Sequence, residues 1–60
     1  MSFKELRDKK GVTQQEIAKQ LNISRTTVAM WENGSSKPRA DKLVQLAQIL
    51  GCTVDELLRG

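Results

Sequence analysis

The apolar residues of this 60-residue chain recur at intervals of three and four, which keeps their side chains on one face of an α-helix. The longest such stripe runs from Leu43 to Leu50, and a shorter one runs from Ile17 to Leu21. The pattern predicts five helices, over residues 3–10, 14–21, 25–32, 40–50 and 54–59. We expect Trp31, the largest apolar side chain, near the centre of the core. The other expected core residues are Phe3, Leu6, Ile17, Ala18, Leu21, Val28, Leu43, Val44, Leu46, Ala47, Leu50, Val54, Leu57 and Leu58.

Capping motifs mark most of the predicted helix starts. A hydroxyl residue is followed three positions later by Glu in three places: Ser2–Glu5, Thr13–Glu16 and Thr53–Glu56. In such a capping box, the hydroxyl accepts a hydrogen bond from the backbone N–H three residues later, and the Glu carboxylate accepts one from the backbone N–H of the cap residue. The third helix has the cap residue Ser24, but Thr27 stands where Glu is expected. Either the absence of Glu keeps a carboxylate away from a surface of this helix that contacts phosphates, or this one helix simply lacks a capping box.

The predicted helix ends are marked by Gly11, Asn22, Gly34 and Gly51, residue types that tolerate the left-handed conformation that ends helices. Only residues 22–24 therefore separate the second helix from the third. A connection this short forces two helices to cross, as in a helix-turn-helix unit.

The outer face of the third predicted helix carries one cation, two hydroxyls and two apolar groups, and no carboxylate. Its residues are Arg25, Thr26, Thr27, Ala29 and Met30. A face that served only solubility would normally carry Glu and Lys. This composition indicates a contact surface, and we expect its target to be the major groove of DNA.

Composition and charge agree with a small helical domain that binds a polyanion. The length allows one domain, over residues 1–60, and the hydrophobic fraction of 38% supports a small core. The net charge is +3, but residues 1–39 hold eight cations against four acids, whereas residues 40–60 hold two against three. A basic half points to nucleic acid. The alternative is an ordinary basic protein.

Several function classes are excluded by what the sequence lacks. There is no His and only one Cys, so neither an internal disulfide nor a metal cluster of the usual spacing can form. We expect Cys52 to be buried and inert, the alternative being a reactive thiol. With no nucleophile arrangement and no Gly-rich phosphate loop, the chain is not expected to be an enzyme or to hold a cofactor. No apolar stretch could span a membrane and none resembles a signal peptide, so we expect a cytoplasmic protein.

A resemblance to the lambda-repressor/Cro-type (XRE-like) family of helix-turn-helix DNA-binding domains is carried by the segments TQQEIAKQLNISRTTVAMWENGSSKP and LVQLAQILGCTVDELL. It covers about residues 3–58. Its motifs are specific in combination: the Gln at the start of the second helix, the Ala inside it, ENG after the third helix, then LAxxLG and DELL. The implied fold is an all-α, compact five-helix bundle whose second and third helices form the helix-turn-helix.

The resemblance implies that the third helix, residues 25–32, is a recognition helix in the major groove. The base-contacting residues it implies are Arg25, Thr26, Thr27, Ala29 and Met30. Physical chemistry agrees, because an arginine fork matches the two acceptors of guanine and methyl groups suit thymine methyls. The sequence lacks the Gln or Asn that many relatives use for adenine, so we expect readout by one strong contact, apolar contacts and DNA shape.

The resemblance also implies contacts to the DNA backbone on both sides of this helix. The implied phosphate-contacting residues are Thr13, Gln14, Ser24, Asn33, Lys37 and Arg39. For Lys37 and Arg39 the alternative is a solvated surface charge. Arg7 and Glu32 match a pair that forms a structural salt bridge between the first and third helices in relatives.

Together these observations predict sequence-specific binding of double-stranded DNA by a transcriptional regulator of the repressor type. We expect a homodimer on an inverted repeat, with half-sites about one helical turn apart. The alternative is a protein-interaction or antitoxin-like module that uses the same bundle. Neither a metal nor a membrane is expected as a partner.

Overall fold

The computed structural model describes the backbone of residues 3–59 and the side chains of residues 3–58, and all regular secondary structure in this range is helical. The helices are α1 (Phe3–Lys10), α2 (Gln14–Leu21), α3 (Arg25–Asn33), α4 (Ala40–Leu50) and α5 (Val54–Arg59). The predicted five-helix bundle is therefore confirmed, with α3 one residue longer than expected. No helix within this range is long and apolar enough to cross a membrane.

The capping side chains act as the sequence predicted. Thr13 Oγ1 accepts from the backbone N–H of Glu16 at 3.0 Å, and Glu16 Oε1 accepts from the N–H of Thr13 at 3.1 Å. Thr53 and Glu56 form the same reciprocal pair at the start of α5. Each cap contributes about 1 kcal/mol to the stability of its helix. The predicted Ser2–Glu5 box lies outside the described residues.

Asn22 is the clearest of the helix ends. It has a φ of 58°, in the left-handed region, and its backbone N–H reaches the carbonyls of Ala18 and Lys19. Asn is one of the few residues with a side chain that adopts this conformation at low cost. Because the helix must end there, Ile23 and Ser24 alone complete the connection, and α3 starts at once.

The centre of the core is formed by one residue from each of three helices: Ile17, Val28 and Leu46 are fully buried. Leu6, Ala18, Leu21 and Leu50 surround them. Because the buried Val28 belongs to α3, one face of α3 packs in the core. The opposite face of α3 is therefore directed away from the bundle.

Two predicted core residues are instead exposed: Val44 to 50% and Leu58 to 66%. Val44 lies about a third of a turn away from the line through Leu43, Leu46 and Leu50, so it lies outside the buried stripe. Leu58 lies in the last turn of the six-residue helix α5, where Leu57 packs against the core and Leu58 does not.

Trp31 is also displaced from its predicted place at the centre. It is half-buried and packs against the edge of the core. There it lines an open, largely apolar groove of about 470 Å³ together with Phe3, Leu43 and Leu58. The central positions of the core are occupied by Ile17, Val28 and Leu46 instead.

Candidate nucleic-acid interface

The outer face of α3 divides into exposed and half-buried residues. Arg25 and Thr26, in the first turn, are exposed, and Met30 is 39% exposed. Thr27 and Ala29 are half-buried. The three exposed side chains form the part of the predicted base-contacting set that is most accessible to another molecule.

The start of α3 is held by a cap that differs from the other two. Ser24 Oγ accepts from the backbone N–H of Thr27 at 3.1 Å and lies 2.8 Å from Thr27 Oγ1. A hydroxyl pair thus takes the place of a capping box without adding a carboxylate. Only one of the two hydroxyl hydrogens is used between them, so the other is available to an outside acceptor.

An ion pair joins α1 to α3 behind this face. Arg7 Nη2 lies 3.1 Å from Glu32 Oε1, and Arg7 Nε donates to the same oxygen at 3.3 Å. Arg7 Nη1 also donates to the carbonyl of Val12. The side chains of Arg7 and Glu32 are only 15% and 10% exposed, so little water reaches the pair.

The second carboxylate oxygen of Glu32 extends the network to α2. Gln14 Nε2 donates to Glu32 Oε2, and the other end of the same amide, Oε1, accepts from Arg25 Nη1 at 3.2 Å. Four side chains from three helices therefore form one hydrogen-bonded series: Arg7, Glu32, Gln14 and Arg25.

This series brings the first residues of α2 and α3 into direct contact. The Arg25 guanidinium, which belongs to the start of α3, therefore lies within hydrogen-bond distance of the Gln14 side chain at the start of α2. Backbone N–H groups at a helix start have no partner within the helix and carry partial positive charge. The arrangement is suited to an anion such as a phosphate.

Beyond α3, residues 34–39 form the loop that carries Lys37 and Arg39, both exposed. Asn33, the last residue of α3, accepts from the backbone N–H of Ser35 at 2.8 Å through Oδ1. This bond turns the amide so that its N–H₂ group faces away from the Ser35 backbone and remains free to donate. The loop start is thus ordered by a residue of the predicted site.

Two contacts of this region were not predicted from the sequence: the hydrogen bond that Gln14 donates to Glu32 and the hydrogen bond that Arg25 donates to Gln14. Both depend on how α2 and α3 cross, which periodicity does not give. The available signal was that Gln14 and Arg25 are each the first residue of a helix, with a three-residue connection between the helices.

Comparison of the sequence with known proteins identifies the family of this chain. The sequence profile of the helix-turn-helix family matches residues 3–57. The chain is 39% identical over 58 residues to the HTH-type transcriptional activator BcrR of Enterococcus faecalis, covering 97% of this chain and 28% of BcrR. It is 40% identical over 48 residues to the HTH-type transcriptional regulator DicA of Escherichia coli (strain K12), covering 80% and 36%. Repressor protein C2 of Salmonella phage P22 is 30% identical over 54 residues, covering 90% and 25%.

The chain therefore belongs to the helix-turn-helix family, and these relatives are named as transcriptional regulators or as a repressor protein. It spans about a quarter to about a half of the length of the first curated relatives it matches. No solved structure gives a significant match.

Proposed function

We propose that this domain binds double-stranded DNA sequence-specifically, with α3 in the major groove. The observation that carries the proposal is the division of α3 into a face fixed in the core by Val28 and a face that exposes Arg25, Thr26 and Met30. The major groove is wide enough to admit one α-helix. Because Val28 stays packed in the core, α3 can enter the groove without any unfolding of the bundle.

Arg25 is the residue we propose for the strongest base contact. It lies in the first turn of α3, is exposed, and ends in a fork that matches O6 and N7 of guanine. Thr26, Ala29 and Met30 would contact thymine methyl groups, and Thr27 would lie at the edge of the contact. We therefore propose a half-site that contains one guanine beside thymines.

Six residues are proposed to hold the DNA backbone on both sides of α3. Thr13, Gln14 and Ser24 lie at the adjoining helix starts, and Asn33, Lys37 and Arg39 lie at the opposite end of α3 and in the following loop. Contacts of this kind set the position of a protein on DNA and carry no sequence information. They would determine how deeply α3 enters the groove.

We further propose that the protein acts as a homodimer on an inverted repeat and represses transcription. A single short helix contacts few base pairs, so two copies are needed for useful specificity. A dimer on a promoter competes with polymerase for the same DNA. The relatives include one named as an activator and one named as a repressor protein, so a reporter assay is needed to test the direction of regulation.

The test begins with selection of bound sequences from a random DNA pool, followed by titration of the selected duplex and a scrambled duplex. If a dimer contacts about eight phosphates, the slope of log K against log salt should be about −7 on the selected duplex. Arg25→Ala should lower affinity for the selected duplex far more than for the scrambled one. Gln20→Met, an exposed change on α2, is the control. Equal losses of affinity on the two duplexes would refute the role of Arg25 in readout.

A second candidate function is docking of a protein partner, as in an antitoxin-like module. The observation in its favour is the apolar groove lined by Trp31, Leu43 and Leu58. Under this alternative, DNA at low salt would not be retarded in a gel, while a Leu58→Glu variant would lose a stable protein partner that the unaltered chain retains.

A further inference from the structure

The side chain of Gln14 has a direction imposed on it by its two neighbours. A carboxylate can only accept hydrogen bonds and a guanidinium can only donate them. Gln14 lies between one of each, with Nε2 towards Glu32 and Oε1 towards Arg25. The amide is therefore oriented by Glu32, and it presents its acceptor end to Arg25 for that reason.

From this geometry we propose that Glu32 is a positioning residue for Arg25, acting through Gln14, and that it thereby sets discrimination at the base pair Arg25 contacts. This inference rests on the proposed function, since it assigns a remote residue to the same readout. Glu32 itself is 10% exposed and faces the interior of the network, so it is placed to orient the amide and not to touch DNA.

The consequence of losing the carboxylate follows from the same donor and acceptor rule. In Glu32→Gln, the new amide can still accept from Arg7 through its oxygen, but it then turns an N–H₂ group towards Gln14. Two donors would face each other, so Gln14 would rotate and present its own N–H₂ group to the Arg25 guanidinium. Arg25 would lose its acceptor and swing freely, which reduces its pre-organisation for guanine.

The geometry also specifies a rescue. Gln14→Glu alone sets two carboxylates against each other, so the new carboxylate turns away from Glu32 and leaves the position in which it would accept from Arg25. Combining Gln14→Glu with Glu32→Gln leaves the composition and net charge of the chain unchanged and reverses the direction of the bond between the two positions. Residue 14 then accepts from both neighbours, and Arg25 regains its partner.

The readout is a discrimination ratio: the Kd on a duplex with the Arg25 base pair changed, divided by the Kd on the selected duplex. For a two-bonded arginine–guanine contact we expect about a 10-fold to 100-fold ratio in the unaltered chain. Each single variant should lower the ratio towards that of Arg25→Ala, and the double variant should recover at least half of the loss on a logarithmic scale. Gln20→Met is the matched control on α2. A ratio that stays unchanged in both single variants, with overall affinity or stability alone reduced, would overturn the proposal.

A measurement without DNA separates failure of this inference from failure of the proposed function. The Nη–H resonances of Arg25 in the free protein, which report the bond to Gln14, should shift in Glu32→Gln towards the positions they take in Gln14→Met, and shift back in the double variant. If the unaltered chain shows no sequence preference, the proposed function fails and the role in discrimination fails with it, while the resonances still report whether the series exists. If Glu32→Gln leaves the Arg25 resonances in place and Gln14→Met moves them, Glu32 does not act through Gln14.

Discussion

Arg7 provides the sharpest test of what holds α3 at its angle. Its guanidinium donates to Glu32 from α1, and to the Val12 carbonyl just before α2. Replacing it by Met keeps much of the aliphatic stem but removes every donor. The Glu32 carboxylate would then remain largely buried with Gln14 as its neighbour and no compensating charge.

The size of the effect follows from burial. Removing one partner of a fully buried ion pair costs about 3–5 kcal/mol. Because the Arg7 and Glu32 side chains are 15% and 10% exposed, some water relieves the stranded charge, and we expect about 2–4 kcal/mol for Arg7→Met. A folded chain of this length has a total stability of about 3–9 kcal/mol. If the total stability lies near the lower end of this range, the loss is about equal to it, and the variant should be about half unfolded even without urea.

Urea unfolding followed by circular dichroism measures this loss directly. With a slope of about 1 kcal/mol per molar urea for so small a domain, the midpoint should fall by about 2–4 M. Lys4→Met, an exposed change on the same helix, is the control and should shift the midpoint little. A double variant, Arg7→Met with Glu32→Leu, should be more stable than Arg7→Met alone, because it no longer buries an uncompensated charge. If Arg7→Met stays within about 0.5 kcal/mol of the unaltered chain, the ion pair does not fix α3.

Three further predictions concern the helix ends and the thiol. Asn22→Ala should destabilise the domain by about 1 kcal/mol in urea because of its left-handed φ, whereas Asn22→Gly should be nearly neutral. Hydrogen bonds from the backbone and side chain of Thr53 lower the pKa of Glu56. These hydrogen bonds stabilise the folded chain fully at pH values above the pKa that Glu56 has in the unfolded state. Their contribution is lost as the pH falls through the lower pKa that Glu56 has in the folded state. An NMR titration should show the pKa of Glu56 rising in Thr53→Ala. Burial, and then the charge of Glu56, raise the pKa of the Cys52 thiol, so alkylation of the folded chain should be slower than in urea.

Helix boundaries could be predicted closely because they depend on local chemistry. The capping residues act only on residues within four positions of themselves. Thr13 begins α2, Asn22 ends α2 and Ser24 begins α3, each where the sequence predicts it. Membership of the core was less certain, because it depends on where neighbouring helices stop. Val44 and Leu58 are apolar and helical, yet nothing among the described residues covers them.

Some features of the candidate site likewise follow from the local sequence, whereas others depend on how the helices pack. That Arg25 and Thr26 face outward follows from their positions relative to Ile23, which precedes α3, and Val28 within it. The series from Arg7 to Arg25 does not follow, because it joins side chains up to 25 positions apart through the crossing of three helices. The pairing of Arg7 with Glu32 was expected only from the family resemblance. The place of Gln14 between Glu32 and Arg25 depends on how the helices pack, which the sequence pattern does not predict.

The contact that we propose between Arg25 and guanine in the major groove can be tested directly with modified bases. Replacing the guanine it faces by 7-deazaguanine removes the N7 acceptor in the major groove and leaves the minor groove as it was. For the unaltered chain we predict about a 10-fold loss of affinity on this duplex, and almost no loss for Arg25→Ala, which has no fork to lose. The opposite result would contradict this contact: the unaltered chain would bind the guanine and the 7-deazaguanine duplexes equally well, but would lose affinity when inosine removed the guanine amino group from the minor groove.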